Sequence, residues 1–100
     1  MTKAIKQDAG KPDYSLLPLS HLEPAVRALE FGVKKYDRDN WKKGFGGTDR
    51  PLAAALRHLA AFQNGERVDA ESGVSHIGHA ICCLIFLVNE LTLEEGASND

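Results

Sequence analysis

Between Val74 and Glu90 the chain is apolar almost all round, through Ile77, Ala80, Ile81, Leu84, Ile85, Phe86, Leu87 and Val88. A segment of this length without a polar face reads as a helix that must lie at the centre of a fold or be covered by another subunit. One hundred residues make one domain with one core. Three helices of this size rarely enclose one of their number, so the pattern predicts an all-α bundle of three main helices, completed by oligomerisation. The longest uninterrupted apolar run, Ala80 to Val88, is too short to span a bilayer.

The other two helices follow from spacing and punctuation. Leu22, Ala25, Val26, Leu29, Val33 and Tyr36 recur at helical intervals, predicting a first helix from Ser20 with that buried stripe. Ser20 and Glu23 have capping-box spacing, and Pro24 suits a first turn. A second helix is predicted from about Pro51 to Gln63, with Leu52, Ala55, Leu56, Leu59 and Phe62 inward and Asn64-Gly65 as its stop. Alanines 53, 54, 60 and 61 would permit close helix approach. Asp37 to Arg50, with three glycines, reads as a loop. Residues 1–10 and 94–100 read as flexible. Pro12 and Pro18 make Lys11 to Leu19 an extended arm, docked through Tyr14, Leu16, Leu17 and Leu19.

The third helix breaks its own apolar pattern on one side. At 100° per residue, His76, His79, Cys83 and Glu90 fall within a sector of about 60°. Polar groups on such a helix are costly unless partnered. Just before it, Glu66, Asp69 and Glu71 crowd a short acidic bend ending at Gly73, where Ser72 or Ser75 can cap the helix. Carboxylates there also favour the helix dipole, and the histidines could be satisfied core groups. The combination points to a divalent-cation site: Mg2+ or Mn2+ on oxygen-rich ligands, drawn from Glu30, Glu66, Asp69, Glu71, His76 and His79. Zinc on His76, His79 and Cys83 is a competing reading, although Cys83 also suits a small core position.

Further residues bear on chemistry. Glu30 flanks the first helix's stripe and could either reach the site or pair with Lys34. His58 could be a general base or ligand and Arg57 a phosphate grip; ordinary surface pairing would also account for both. A net charge of −2 gives no global field for a nucleic-acid polymer. Lys34, Lys35, Arg38, Lys42, Lys43 and Arg50 form a local basic cluster suited to a small anion. Trp41 could stack on a base or serve as a packing anchor. There is no Gly-x-x-x-x-Gly-Lys loop, dinucleotide fingerprint or Gly-x-Ser-x-Gly elbow. Adjacent Cys82 and Cys83 and a polar N-terminus suggest a reduced, cytoplasmic chain.

Several segments together resemble a known family: Gly10-Lys11-Pro12, Ser15-Leu16-Leu17, Leu29-Glu30-Phe31-Gly32, Lys34-Lys35-Tyr36, Asn40-Trp41-Lys42-Lys43-Gly44, Arg57-His58-Leu59, Gly65-Glu66, Asp69, Glu71-Ser72-Gly73 and His76-Ile77-Gly78-His79. They look like the pattern of phage dATP/dGTP diphosphohydrolases and their N-terminal domains, similar in turn to the all-α MazG-like nucleoside triphosphate pyrophosphatases. The resemblance implies metal-dependent hydrolysis of a purine deoxynucleoside triphosphate to monophosphate and pyrophosphate by a homodimer or homotetramer. Glu66 and His58 would be catalytic, Lys34, Lys35, Arg57 and Trp41 would bind substrate, and Mg2+ or Mn2+ would be the cofactor. One departure stands out: MazG-like enzymes carry Glu-x-x-Glu on one helix and Glu-x-x-Asp on the next, whereas here Glu30 is followed at i+3 by Val33. Glu66-x-x-Asp69 keeps the second spacing, but in a turn. The rival reading is a non-enzymatic helical module that binds a protein or nucleotide.

Overall fold

The computed structural model describes residues 2–98 and contains three α-helices: α1 (Glu23–Lys35), α2 (Asp49–Gln63) and α3 (His76–Ser98). Among the described residues there is no named strand, only an isolated antiparallel bridge between Val68 and Ser75. Short 3-10 turns cover Tyr14–Leu16, Leu19–Leu22 and Asn40–Lys43. The fold is all-α, with α3 packed against both α1 and α2.

α1 begins three residues later than Ser20. The chain leaves Pro18 in a 3-10 turn, no side chain caps α1, and Pro24 occupies its first turn. Ser20 Oγ faces His21 Nδ1 instead. α2 begins at Asp49, and Pro51 is buried within its first turn. Its end matches the expected stop. Gly65, at φ +96°, sends its amide to the Phe62 carbonyl, and Glu66 sends its amide to Ala61, both at 3.0 Å. This paired closure needs a left-handed residue, which glycine supplies without a Cβ penalty.

α3 starts at His76 because Val74 and Ser75 are drawn into the bend. Asp69 N–H donates to Val74 O and His76 N–H to Arg67 O. Ser75 Oγ then caps the helix, accepting from the amides of Ile77 (3.1 Å) and Gly78 (3.4 Å). The helix runs on through Ser98, so residues 94–98 are helical rather than loose; Met1, Asn99 and Asp100 lie outside the described residues. By length and composition alone, His76–Gly96 is apolar enough to cross a membrane. Its protein-facing side nevertheless buries His76 and Glu90 and bonds Asn89 to the loop carbonyls of Trp41 and Lys42, as expected of a bundle's central helix.

The helices meet through small side chains: Ala25, Ala28, Ala55, Ala80, Cys82 and Cys83 are buried. The expected stripes therefore need correction. Val26 and Val33 on α1, Tyr36 just after it, and Leu52, Leu56 and Leu59 on α2 are exposed, as are Leu84, Ile85 and Val88 on α3. The predicted arm is present but undocked, since Tyr14, Leu16, Leu17 and Leu19 are also exposed. Three helices in contact bury only their facing strips, and among the described residues no large side chain is fully buried. The radius of gyration, 17.1 Å, exceeds the roughly 13 Å typical of a compact domain of this length.

Candidate functional site

The acid-rich bend and the first turns of α3 meet the middle of α2, and three imidazoles come together there. His58 from α2 stacks face to face on His79, with ring centroids 4.7 Å apart and planes 9° apart. His58 Nδ1 also lies 2.8 Å from His76 Nδ1. The i, i+3 spacing of His76 and His79 puts both within reach of a single α2 residue. The edge of Phe31, on α1, meets the His79 ring at 6.3 Å. Burial, then the neighbouring imidazoles His79 and His76, depress the pKa of His58 below the ordinary histidine value. Burial also depresses His79, against the opposing pull of Asp69.

Each α3 histidine has its own carboxylate. His76 Nε2 is buried without a hydrogen-bond partner, and the Glu66 carboxylate is 3.5 Å away. Asp69 Oδ2 lies 3.9 Å from His79 Nε2, with the Ser72 hydroxyl between them. Burial pushes the Asp69 carboxyl up, but the Ser72 amide and hydroxyl and the two histidines outweigh it and hold it below the usual carboxylate value.

The site opens on a cleft of about 1310 Å³ between α1, the loop after it, α2 and α3. Of the residues picked out from sequence, Glu30, Lys35, Trp41, Arg57, His58, Asp69, Glu71 and His79 line it. Lys34, Glu66 and His76 do not. Glu30 is bound to Arg27 at 3.0 Å, not to Lys34. Glu71 holds Lys35 at 2.7 Å, which raises the lysine's pKa through the hydrogen bond and the charge. Trp41 is stacked on Phe86 at 5.2 Å, so one face of the indole is already used in packing.

Among the described residues, no group of three or more His, Cys, Asp or Glu side chains is placed to hold a metal ion. The expected donors fall into pairs, Glu66 with His76 and Asp69 with His79, and two other carboxylates are engaged by cations. Zinc on His76, His79 and Cys83 is not formed. Cys83 is buried between helices as a free thiol, and burial pushes its pKa up.

Ser72, a capping candidate in the sequence, leaves the cap to Ser75, and Glu90 carries no predicted role. Ser72 bridges Asp69 and His79, and its spacing three residues after Asp69 is the only local signal. Glu90 shares the polar sector of α3, but its partners are the amides of Phe45 and Gly47, far away in the chain.

The chain matches the family described as dATP/dGTP diphosphohydrolase, N-terminal, over residues 1–99. It belongs to that family. A curated relative from Salmonella phage PMBT28, named dATP/dGTP diphosphohydrolase, is 36% identical over 83 residues. The aligned part is 83% of this chain but 28% of the relative, so this diphosphohydrolase-family domain spans little more than a quarter of the protein it resembles. No solved structure matches it.

Proposed function

We propose that this domain hydrolyses the purine deoxynucleoside triphosphates dATP and dGTP to the monophosphate and pyrophosphate. The observation that carries this reading is the packed group of His58, His76 and His79 with its two carboxylates, set beside a cleft that Lys35 and Arg57 also line. Basic side chains at the cleft suit a polyphosphate, and the imidazoles suit proton transfer from water.

The polarity of the histidine chain follows from Glu66. An ionised carboxylate accepts only, so it favours a proton on His76 Nε2. His76 Nδ1 is then a lone pair, His58 Nδ1–H donates to it across 2.8 Å, and His58 Nε2 is left unprotonated. His58 is the general base in this scheme, and Glu66 acts on it through His76. Lys35 and Arg57 would neutralise charge on the phosphate oxygens. Lys35 first exchanges Glu71 for phosphate, which an exposed pair permits because water and salt weaken it.

The donor pairs do not make a protein cage for a cation. Mg2+, however, is commonly held by one or two carboxylates together with substrate phosphates, so Mg2+ or Mn2+ enters the proposal with the triphosphate. The exposed apolar faces support assembly as a homodimer or homotetramer, to be read from mass in solution.

The test is incubation of the chain with dATP, dGTP and ribonucleotides, with and without Mg2+ or Mn2+, while monophosphate and pyrophosphate are followed. The expected result is metal-dependent turnover that falls roughly 10²–10⁴-fold in His58→Ala. The base must be unprotonated, and its pKa is depressed, so rate should hold as pH falls to 6.5 and be lost only below it. Absent turnover, or turnover indifferent to His58→Ala, would overturn the assignment.

A further inference from the structure

The proposed hydrolysis leaves Ser72 without a task, yet its hydroxyl is the most densely bonded atom of the bend. Ser72 Oγ lies 2.9 Å from Asp69 Oδ2, 2.7 Å from His79 Nε2 and 3.1 Å from the amide nitrogen of Val74. Asp69 Oδ2 and His79 Nε2 are 3.9 Å apart, beyond hydrogen-bond reach, so the hydroxyl is their bridge.

A serine hydroxyl has one proton to give and two lone pairs to receive with. The Val74 N–H occupies one lone pair. If the hydroxyl proton went to His79, the second lone pair would face the Asp69 carboxylate at 2.9 Å with no proton between two acceptors. If it goes to Asp69, His79 Nε2–H fills the remaining lone pair and every group is satisfied. The first arrangement would need a protonated Asp69. The carboxylate also accepts the Ser72 amide at 2.9 Å, and an aspartate is charged at neutral pH.

We infer that Ser72 is a positioning residue: it transmits the Asp69 charge to His79 and fixes that imidazole in its Nε2–H form, leaving Nδ1 as the atom with the lone pair. Combined with the hydrolase reading, on which this consequence rests, Nδ1 is the atom His79 offers to a proton or to the cation accompanying the triphosphate. The ring cannot turn freely to offer the other nitrogen, because His58 covers one face and Phe31 meets it edge-on.

Two-bond 1H–15N spectra of the histidine-labelled full chain at neutral pH, without metal or nucleotide, test this directly. The His79 signals are assigned by their loss in His79→Gln. The wild-type chain should show one form, protonated on Nε2. Ser72→Ala should show a mixture of tautomers, Ser72→Thr should keep the wild-type pattern, and Asp69→Asn should weaken the Nε2–H signal. A His79 proton on Nδ1, or a Ser72→Ala spectrum identical to wild type, would overturn the inference. Turnover should fall roughly 10–100-fold in Ser72→Ala and be largely retained in Ser72→Thr. Absence of turnover in the wild-type chain would sink the hydrolase reading and leave the spectra to decide this one.

Discussion

Gly78→Ala lowers the unfolding midpoint, although alanine is the better helix former. A Cβ at Gly78 would meet backbone atoms of Pro24, the carbonyl oxygen at 2.5 Å and its carbon at 2.6 Å. Neither belongs to a flexible side chain, so α1 must move off α3. Helix propensity favours the substitution by about 0.8–1 kcal/mol. Overpacking of this kind costs about 1–3 kcal/mol and opens the strip where Ala25 and Ala28 are buried. An overlap with rigid backbone belongs at the upper end of that cost, so the net loss is about 2 kcal/mol, or roughly 8–16 °C in a domain of this size. Gly32, in α1, is the control: a Cβ there meets nothing within 4 Å, so Gly32→Ala should raise the midpoint. Thermal unfolding of the two variants side by side decides it. A Gly78→Ala chain as stable as the wild type would mean that α1 and α3 do not cross at this point.

That crossing also explains why the helices were easier to read than the core. The stop at Asn64-Gly65 and the acid-rich bend are local signals, written in residues that tolerate only a few backbone shapes. Ser20 and Glu23 have capping spacing and predict a start at Ser20, but Pro18 and Leu19 set up a 3-10 turn that defers α1 to Glu23. The buried stripes differ from the expected ones for another reason. Periodicity marks large apolar residues, yet the close approach at Gly78 selects alanines for the contact between α1 and α3 and leaves Val26 and Val33 outside it.

The site divides in the same way. Spacing put His76 and His79 on one face and the carboxylates just before them. It did not show that the bend would deal Glu66 to one imidazole and Asp69 to the other, which depends on the Val68–Ser75 bridge. Adjacent Lys34 and Lys35 were indistinguishable in sequence, but they point about 100° apart on a helix, and only Lys35 lines the cleft. Glu30 has two readings in the sequence, reaching the site or pairing with Lys34 at i+4; it lines the cleft, and Arg27, at i−3, is the cation that holds it.

The longest-range surprise is Glu90, and its removal should be among the costliest changes in the chain. The side chain is 3% exposed and its carboxylate accepts the amides of Phe45 and Gly47, the latter at 3.1 Å. Glu90→Ala leaves two part-buried N–H donors without an acceptor, at about 1–3 kcal/mol each, so a loss of roughly 2–6 kcal/mol is expected. Glu90→Gln should fall between, since its carbonyl replaces one acceptor and its NH2 opposes the other amide. The loop cannot simply close on the gap. Gly44, at φ +91°, already has the Leu93 side chain 2.8 Å from where a Cβ would stand. Trp41 is the single tryptophan of the chain and is stacked on Phe86 beside this anchor, so its emission reports the loop separately from global unfolding. In Glu90→Ala the emission should shift to the red at temperatures where helical ellipticity is intact. An unchanged midpoint together with unchanged emission would show that the carboxylate does not hold the loop. Because Trp41 and Phe45 line the cleft, loosening them should raise KM for the triphosphate more than it lowers kcat. The imidazoles on α2 and α3 are held by contacts that do not involve the loop.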